Sequence, residues 1–441
     1  MFEYVILILW GHLLNSDSLQ FGFKEGSSTV QCTWLVSEIV SHYLKNGNPV
    51  IVTLLDCTKA FDLCQFSTLF RKLLKRSVPK IIIRILIFVY TEQEVWVRWG
   101  SSTSEPFRVS NGTRQGSVIS PALFSLYIDD LIKELREMGL GCRIGGMWMA
   151  AVGYADDILL MAPNRMAMEL MLNICEKYAD RHKLKFSTDE NPNKSKSKCI
   201  YMTNKKCKNT EKPVPLKLYG RNLPWVNTAT HLGNELCSDG TMNHDCNVKR
   251  AKFIDNSIQV RELLKFAEPN EILRAISIYS SDLYGSHLWD LYGSSAEQLY
   301  RCWNTTVKLC WGTHTGLLKG FLSRDHLSLR VMCLSRYSNF IKSLISSRSK
   351  EVSVMSRLVM NDVCTVTGSN CINIRLEIGE TPYNSTSKYI RENVTLKRYI
   401  PEEYIWSCWL LEKYIEIRRR LRQNLDDTVY IDELIDSLCS S

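Results

Sequence analysis

Two adjacent aspartates set between two apolar runs constrain this chain more than any other stretch. Tyr154-Ala155-Asp156-Asp157 follows the run Met147–Val152 and precedes Ile158–Ala162. Each run is long enough for a strand, and the polar pair falls where a turn belongs. The stretch is therefore predicted as a β-hairpin with two carboxylates at its tip. Carboxylates this close repel one another, and Asp56 and Asp62 add two more upstream. A divalent cation relieves such crowding, and hard oxygen ligands select Mg²⁺ or Mn²⁺.

The upstream pair has its own setting. Pro49–Leu55 is a β-branched, nearly continuous apolar run, which predicts a central strand covered on both faces. It ends in Asp56-Cys57-Thr58-Lys59-Ala60-Phe61-Asp62, and a helix striped with Leu69, Phe70, Leu73 and Leu74 follows. The carboxyl end of such a strand is where α/β sheets present reactive groups. Before it, residues 1–45 read as helix, turn, helix. The turn includes Gln20-Phe21-Gly22-Phe23, and Ser27, Ser28 or Thr29 can cap the second helix.

Between these two stretches lies Asn111-Gly112-Thr113-Arg114-Gln115-Gly116-Ser117, leading into a helix with Ser120 as expected N-cap and Pro121 in its first turn. A strand pair, Val95–Trp99 with Pro106–Val109, precedes it. Asp129 and Asp130 form a second acidic pair, but within that helix, where adjacent side chains diverge; they are expected on a partly exposed face. After the hairpin come the amphipathic helix Met166–Tyr178, the segment Asn191-Pro192-Asn193-Lys194-Ser195-Lys196, a strand Cys199–Met202, and His231-Leu232-Gly233 after a hairpin strand Leu223–Val226. Beyond Asp239 the pattern is helical to about residue 350, with Trp289, Trp303 and Trp311 as expected core. Cys302, Cys310 and His314 are too widely spread for a zinc site and read as core.

The 441 residues carry a net charge of +9, from 55 Lys and Arg against 46 Asp and Glu. That balance favours an anionic partner, nucleic acid above all, and the lysine-dense stretch from Lys194 to Lys217 is one candidate backbone contact. Sixteen cysteines occur without a Cys-x-x-Cys pair. Most, such as Cys57, Cys175 and Cys199, sit in apolar segments where a reduced thiol packs as a small hydrophobe. A reducing compartment, cytoplasmic or nuclear, is expected. Met1–Trp10 contains Glu3 and lacks a basic leader, and Ile81–Tyr90 is short and interrupted by Arg84, so no membrane association is expected.

Taken together, Asp56…Phe61, Arg114-Gln115-Gly116-Ser117 with Ser120-Pro121, and Tyr154-Ala155-Asp156-Asp157 resemble, in order and spacing, the palm motifs of reverse transcriptases of the non-LTR (LINE-type) retrotransposons. The Gln-Phe-Gly-Phe segment, Asn-x-x-Lys-Ser and His-Leu-Gly look like further landmarks of that family. The resemblance implies an α+β fold, the polymerase right hand of fingers, palm and thumb, with an antiparallel palm sheet packed on helices. It implies a fingers remnant at 1–45, a palm with fingers insertion at 46–238, a helical thumb at 239–350 and a C-terminal extension at 351–441. It also implies RNA-directed DNA synthesis, in which an RNA template directs extension of a DNA primer 3′-hydroxyl by dNTPs.

By the same resemblance, Asp56, Asp156 and Asp157 with the carbonyl of Cys57 would hold two Mg²⁺ or Mn²⁺ ions. One ion would activate the primer hydroxyl and the other would hold the triphosphate. Phe61 would lie under the incoming sugar and exclude a 2′-hydroxyl. Arg114, Gln115 and Gly116 would lie against the nascent base pair, and Lys194, preferred over Lys196, would assist the leaving pyrophosphate. Family members carry an earlier fingers segment with an Arg-Pro-Ile-type motif, so the chain is expected to be an N-terminally truncated member, its endonuclease supplied elsewhere. The alternative reading of the same residues is a catalytically inactive remnant that binds nucleic acid without turnover. A two-metal nuclease accounts less well for Phe61 and the Gln-Gly pair, which serve nucleotide selection.

Overall fold

The computed structural model describes residues 2–377 apart from 115, 190, 192–193, 208–211, 280–282 and 311–328. It divides into two units, one formed by Met1–Ala229 with Ser238–Gly240, the other by Thr230–Cys237 and the chain from Thr241. The first unit begins with α1 (Phe2–Trp10) and α2 (Thr29–Lys45). Ser28 starts α2 by accepting the Gln31 N–H at 3.1 Å, satisfying one of the free donors of the first turn. β1 (Val50–Leu55) then leads through α3 (Ala60–Leu63) into α4 (Phe66–Lys75) and α5 (Lys80–Thr91). A small arm pairs β2 (Glu94–Val95) with β5 (Phe107–Arg108), and β3 (Arg98–Trp99) with β4 (Ser102–Thr103). After α6 (Ser120–Met138) come a short hairpin, β6 (Arg143–Ile144) with β7 (Met147–Trp148), and the longer one, β8 (Ala151–Tyr154) with β9 (Asp157–Ala162). α7 (Arg165–His182) and β10 (Lys198–Met202) follow.

β10, β1, β9 and β8 form, in that order, an antiparallel sheet, and the fold is α+β. Val50, Ile51, Val52 and Thr53 of β1 are all fully or almost fully buried. Successive strand residues point to opposite faces, so burial of both parities means that both faces of β1 are covered. α2 packs on β1 and β8, α6 on β8 and α7 on β9. The apolar run Met147–Val152 does not form one strand. Gly145 and Gly146, both at positive φ, turn Met147–Trp148 back on Arg143–Ile144, and only residues from Ala151 onward pair with β9.

Two other expectations change in detail. Ser120 lies inside α6, not at its N-cap, which is Ile119; the Ser120 hydroxyl instead meets the Tyr90 hydroxyl at 3.3 Å. Asp129 is fully buried, not on an exposed face. Arg76 reaches it at 2.6 Å, Lys133 pairs with it, and it accepts the Asp17 backbone N–H. Asp130 pairs with Lys72 at 2.7 Å.

The second unit is mainly helical. It takes in, from Thr230 on, the hairpin of Thr228–His231 and Asn234–Cys237, and then helices at Asn243–Leu263, Pro269–Tyr279, Ser294–Cys310, Leu329–Ile345, Lys350–Val359 and Val366–Glu377. Trp289 and Trp303 are core residues, each 1% exposed. The indole N–H of Trp289 donates to Asp245 at 2.7 Å, and the other Asp245 oxygen accepts the Glu235 N–H at 2.9 Å. Cys302 and Cys310 are half-buried, while Trp311 and His314 lie outside the described residues. No helix among the described residues is long and apolar enough to cross a membrane.

Candidate active site

Strand register assembles the carboxylates. Leu55, the last residue of β1, pairs with Ile158, and Tyr154 pairs with Asp157 across the hairpin. One step further along β1, Asp56 falls opposite Asp157, beside the two-residue turn Ala155-Asp156. A shift of one residue would turn these side chains to the other face, so the buried Val-Ile-Leu set that fixes the register also fixes the site. Asp56 is held from both sides of its peptide: its N–H donates to the Ser197 hydroxyl at 3.2 Å and its carbonyl accepts from Ser187 N–H at 2.7 Å. Thr58 N–H donates to the Lys185 carbonyl at 2.9 Å, which makes Cys57 the non-bonded member of an antiparallel bridge with Phe186. Ladder bonds alternate sides, so the Cys57 carbonyl faces away from the 185–187 segment.

The electrostatics follow from that assembly. Partial burial raises the Asp156 carboxyl above its ordinary range, and the Asp56 charge raises it further. Asp157 is pushed up to about 6, by desolvation first and then by the charges of Asp156 and Asp56. Each raised value means that the folded state resists ionising these groups. Among the described residues no three acidic, His or Cys side chains close around a point as a preformed metal cage does. Mg²⁺ seldom uses such cages; it takes one or two carboxylates and completes its shell with substrate phosphates and water. Carboxylates that share a strand end and oppose one another's ionisation suit that chemistry.

The raised values carry a pH dependence. A carboxyl that holds its proton more tightly folded than unfolded destabilises the fold as pH rises from the unfolded value, near 4, through the folded one, about 6 for Asp157. Without metal, the thermal midpoint is therefore expected to fall across that window. Asp157→Asn should flatten the fall and leave the protein about 2 °C more stable at pH 7.5, since Asp157 is solvent-exposed and screening keeps the penalty small. Thermal melts at pH 4.5, 6 and 7.5 in EDTA check this; identical slopes for the two proteins would deny the repulsion.

The second motif docks on the first. Thr113 N–H donates to the Phe61 carbonyl and Gly112 N–H to the Cys64 carbonyl, both at 2.8 Å. Gly112, at φ +96°, lies so close that a Cβ would stand 3.1 Å from Asp62; this close approach needs glycine. Phe61 is half-buried, stacked on Phe124 with centroids 4.3 Å apart, and edge-on to Phe23 at 6.3 Å. Arg114 and Gly116 are exposed, Gly116 at φ +84° with open space around it, and Gln115 lies outside the described residues. Lys194 is exposed on its loop, whereas Lys196 Nζ stands 3.9 Å from Asp56 Oδ2.

Sequence reasoning missed three contributors. Glu3, on α1, accepts from the Ser117 hydroxyl at 2.8 Å and the Val118 N–H at 2.9 Å, tying down the chain just after Gly116. Ser197 holds Asp56, as above. Gln20 is fully buried against Ala155 at the hairpin tip. The first two carry no local signal, since each is a single polar residue acting on a distant backbone; Gln20 lies in a segment already marked as a landmark.

Comparison with known proteins places these residues in context. Residues 3–227 match the family model described as reverse transcriptase (RNA-dependent DNA polymerase). The chain is 27% identical over 160 residues to the Pol polyprotein of the type-2 retrotransposable element R2DM of Drosophila melanogaster, covering 36% of this chain and 15% of that protein. It is 25% identical over 290 residues to the probable RNA-directed DNA polymerase from transposon BS of the same fly, covering 61% of this chain and 30% of that protein. The chain thus spans less than a third of the length of either relative. Among solved structures, telomerase from Candida albicans aligns over 80% of this chain and 55% of its own, at 10% identity and a TM-score of 0.34.

Proposed function

Since the chain belongs to the reverse transcriptase (RNA-dependent DNA polymerase) family, we propose that it extends a DNA primer along an RNA template by nucleotidyl transfer from dNTPs. The observation that carries this reading is the β1–β9 register, which brings Asp56 beside Asp156 and Asp157. In this reading Asp56, Asp156 and Asp157, with the Cys57 carbonyl, hold two Mg²⁺ or Mn²⁺ ions. Such ions would supply a lowered pKa for the primer hydroxyl and charge neutralisation for the triphosphate. Positive charge there would relieve the repulsion that raises the Asp156 and Asp157 carboxyls.

The remaining residues position the reactants. Phe61, fixed by its stack on Phe124, presents a rigid edge under the incoming sugar. Arg114, Gln115 and Gly116 line the nascent base pair. Lys194 assists the departing pyrophosphate, and Lys196, whose Nζ stands 3.9 Å from Asp56 Oδ2, is a second lysine placed for that role. The lysine-dense stretch from Lys194 to Lys217 follows the template–primer duplex through its phosphates and shape. We assign the palm and fingers insertion to 46–238, a fingers portion to 1–45, a thumb to 239–350 and a C-terminal extension to 351–441. A reducing compartment, nucleus or cytoplasm, suits the many thiols.

The experiment is primer extension on a poly-rA template with an oligo-dT primer and dTTP in Mg²⁺, then Mn²⁺, beside the Asp156→Asn/Asp157→Asn protein. Extension by the first protein alone supports the reading; none by either, with duplex binding intact in both, rejects it. A second outcome concerns sugar choice. Phe61→Val is expected to cut discrimination against ribonucleotides by about 10–100-fold, measured as the ratio of dTTP to UTP incorporation efficiencies. An unchanged ratio would remove Phe61 from the gate.

A further inference from the structure

The side chain of Gln20 is fully buried, and all its recorded hydrogen bonds go to the backbone around the acidic turn or to its own loop. Its Oε1 accepts the N–H of Ala155 at 2.9 Å and that of Gly22 at 3.1 Å, while its Nε2 donates to the Ala155 carbonyl at 3.2 Å. Two N–H donors on one end and a carbonyl on the other leave no freedom to flip the amide. The flanking backbone reinforces it: Phe21 N–H donates to Gly153 O at 2.7 Å, and Gly153 N–H donates to Leu19 O at 2.9 Å. Leu19–Phe21 thereby lies along the free edge of β8. Gly22 passes so near the turn that a Cβ would stand 2.3 Å from the Ala155 nitrogen.

What Gln20 grips is the residue before Asp156. Ala155 is left-handed at φ 58°, a conformation that an L-residue with a Cβ adopts only when its surroundings impose it. Because Ala155 is buried, its N–H and C=O both need partners, and one glutamine supplies both. The dihedrals of Ala155 set the direction in which the next residue projects. We propose that Gln20 is a positioning residue for Asp156: its side-chain amide holds Ala155 left-handed and so presents Asp156 to the site before any substrate arrives. The inference rests on the polymerase reading for its consequence, though not for its geometry.

Three properties of the full-length chain test it. In Gln20→Met, which keeps the volume and removes the hydrogen bonds, amide exchange at Ala155 in metal-free protein should rise at least about tenfold. Single-nucleotide incorporation should slow by about 10–100-fold, with the half-saturating dTTP concentration within about twofold of the original. Gln20→Glu keeps an acceptor for both N–H groups and should recover most of the exchange protection. If Gln20→Met does not fold, Gln20→Asn, too short to reach Ala155, is read the same way.

Unchanged exchange and an unchanged rate per folded molecule in Gln20→Met would overturn the proposal. So would a lowered thermal midpoint with the rate intact, since that is what a merely structural glutamine gives. Should the unsubstituted chain fail to extend primers, the polymerase reading falls alone: Ala155 exchange in the variants still shows whether Gln20 fixes the turn.

Discussion

Asp156→Asn is expected to slow single-nucleotide incorporation by about 10³-fold, or about 4 kcal/mol, while leaving the thermal midpoint unchanged or slightly raised. The two halves of that expectation have one cause. Asp156 is a raised carboxyl at the hairpin tip, pushed up by partial burial and by the Asp56 charge, so its charge opposes folding, and in the proposed reading that charge serves to bind a cation. Asparagine is nearly the same size and keeps an oxygen, but it cannot offer a full negative charge to a cation. A purely structural carboxylate behaves in the opposite way, because its loss unfolds the protein. Rapid-quench incorporation with a preformed RNA–DNA primer–template, run beside a thermal melt, separates the two. A variant that melts many degrees lower and incorporates normally when folded would show that Asp156 serves the fold.

Asp129→Ala is expected to do what Asp156→Asn does not. Asp129 is fully buried, with Arg76 and Lys133 paired to it and the Asp17 N–H donating to it. A buried pair adds little net stability over an apolar replacement, but removing one partner leaves the others uncompensated, at about 3–5 kcal/mol. For a unit of this size that corresponds to about a 10 °C loss in thermal midpoint. Arg136, which pairs with Asp17 at 2.6 Å, belongs to the same network, so the loss should reach the N-terminal segment that carries Gln20. Thermal and urea melts measure it; a change under about 1 kcal/mol would mean the network is dispensable.

These two acidic pairs also show what the sequence could and could not reveal. Asp156-Asp157 was legible because apolar runs on either side leave a turn as the one place for it. Asp129-Asp130 sits at helical spacing, and nothing nearby says that Arg76 and Asp17 close over Asp129 while Asp130 turns to Lys72. The β1 strand was readable from its unbroken β-branched run. The limit of β8 was not, because Met147–Val152 is apolar throughout and only the turn at Gly145-Gly146 divides it.

At the site, the order of Asp56, Phe61, the Gly112–Gly116 stretch and the hairpin could be read off the chain. Their mutual fit could not. Phe61 gains its rigidity from Phe124, and the Ala155 backbone is held by a glutamine 135 positions away. Spacing alone does not reveal that Lys196 comes within 3.9 Å of Asp56. Contacts that distant in sequence leave no periodic trace, so pattern reasoning finds the strands and misses the clamps.

The proposed metal site is tested by the number of Mn²⁺ ions held by the chain on an RNA–DNA duplex with a dideoxy-terminated primer and the matching dNTP. Electron paramagnetic resonance of free and bound Mn²⁺ gives that number before any chemistry occurs. Two ions are expected for the unsubstituted chain, with a loss of at least one in Asp56→Asn and in Asp156→Asn and with duplex binding preserved. Equal Mn²⁺ binding by all three proteins would contradict it, because the carboxylates brought together by the β1–β9 register would then hold nothing.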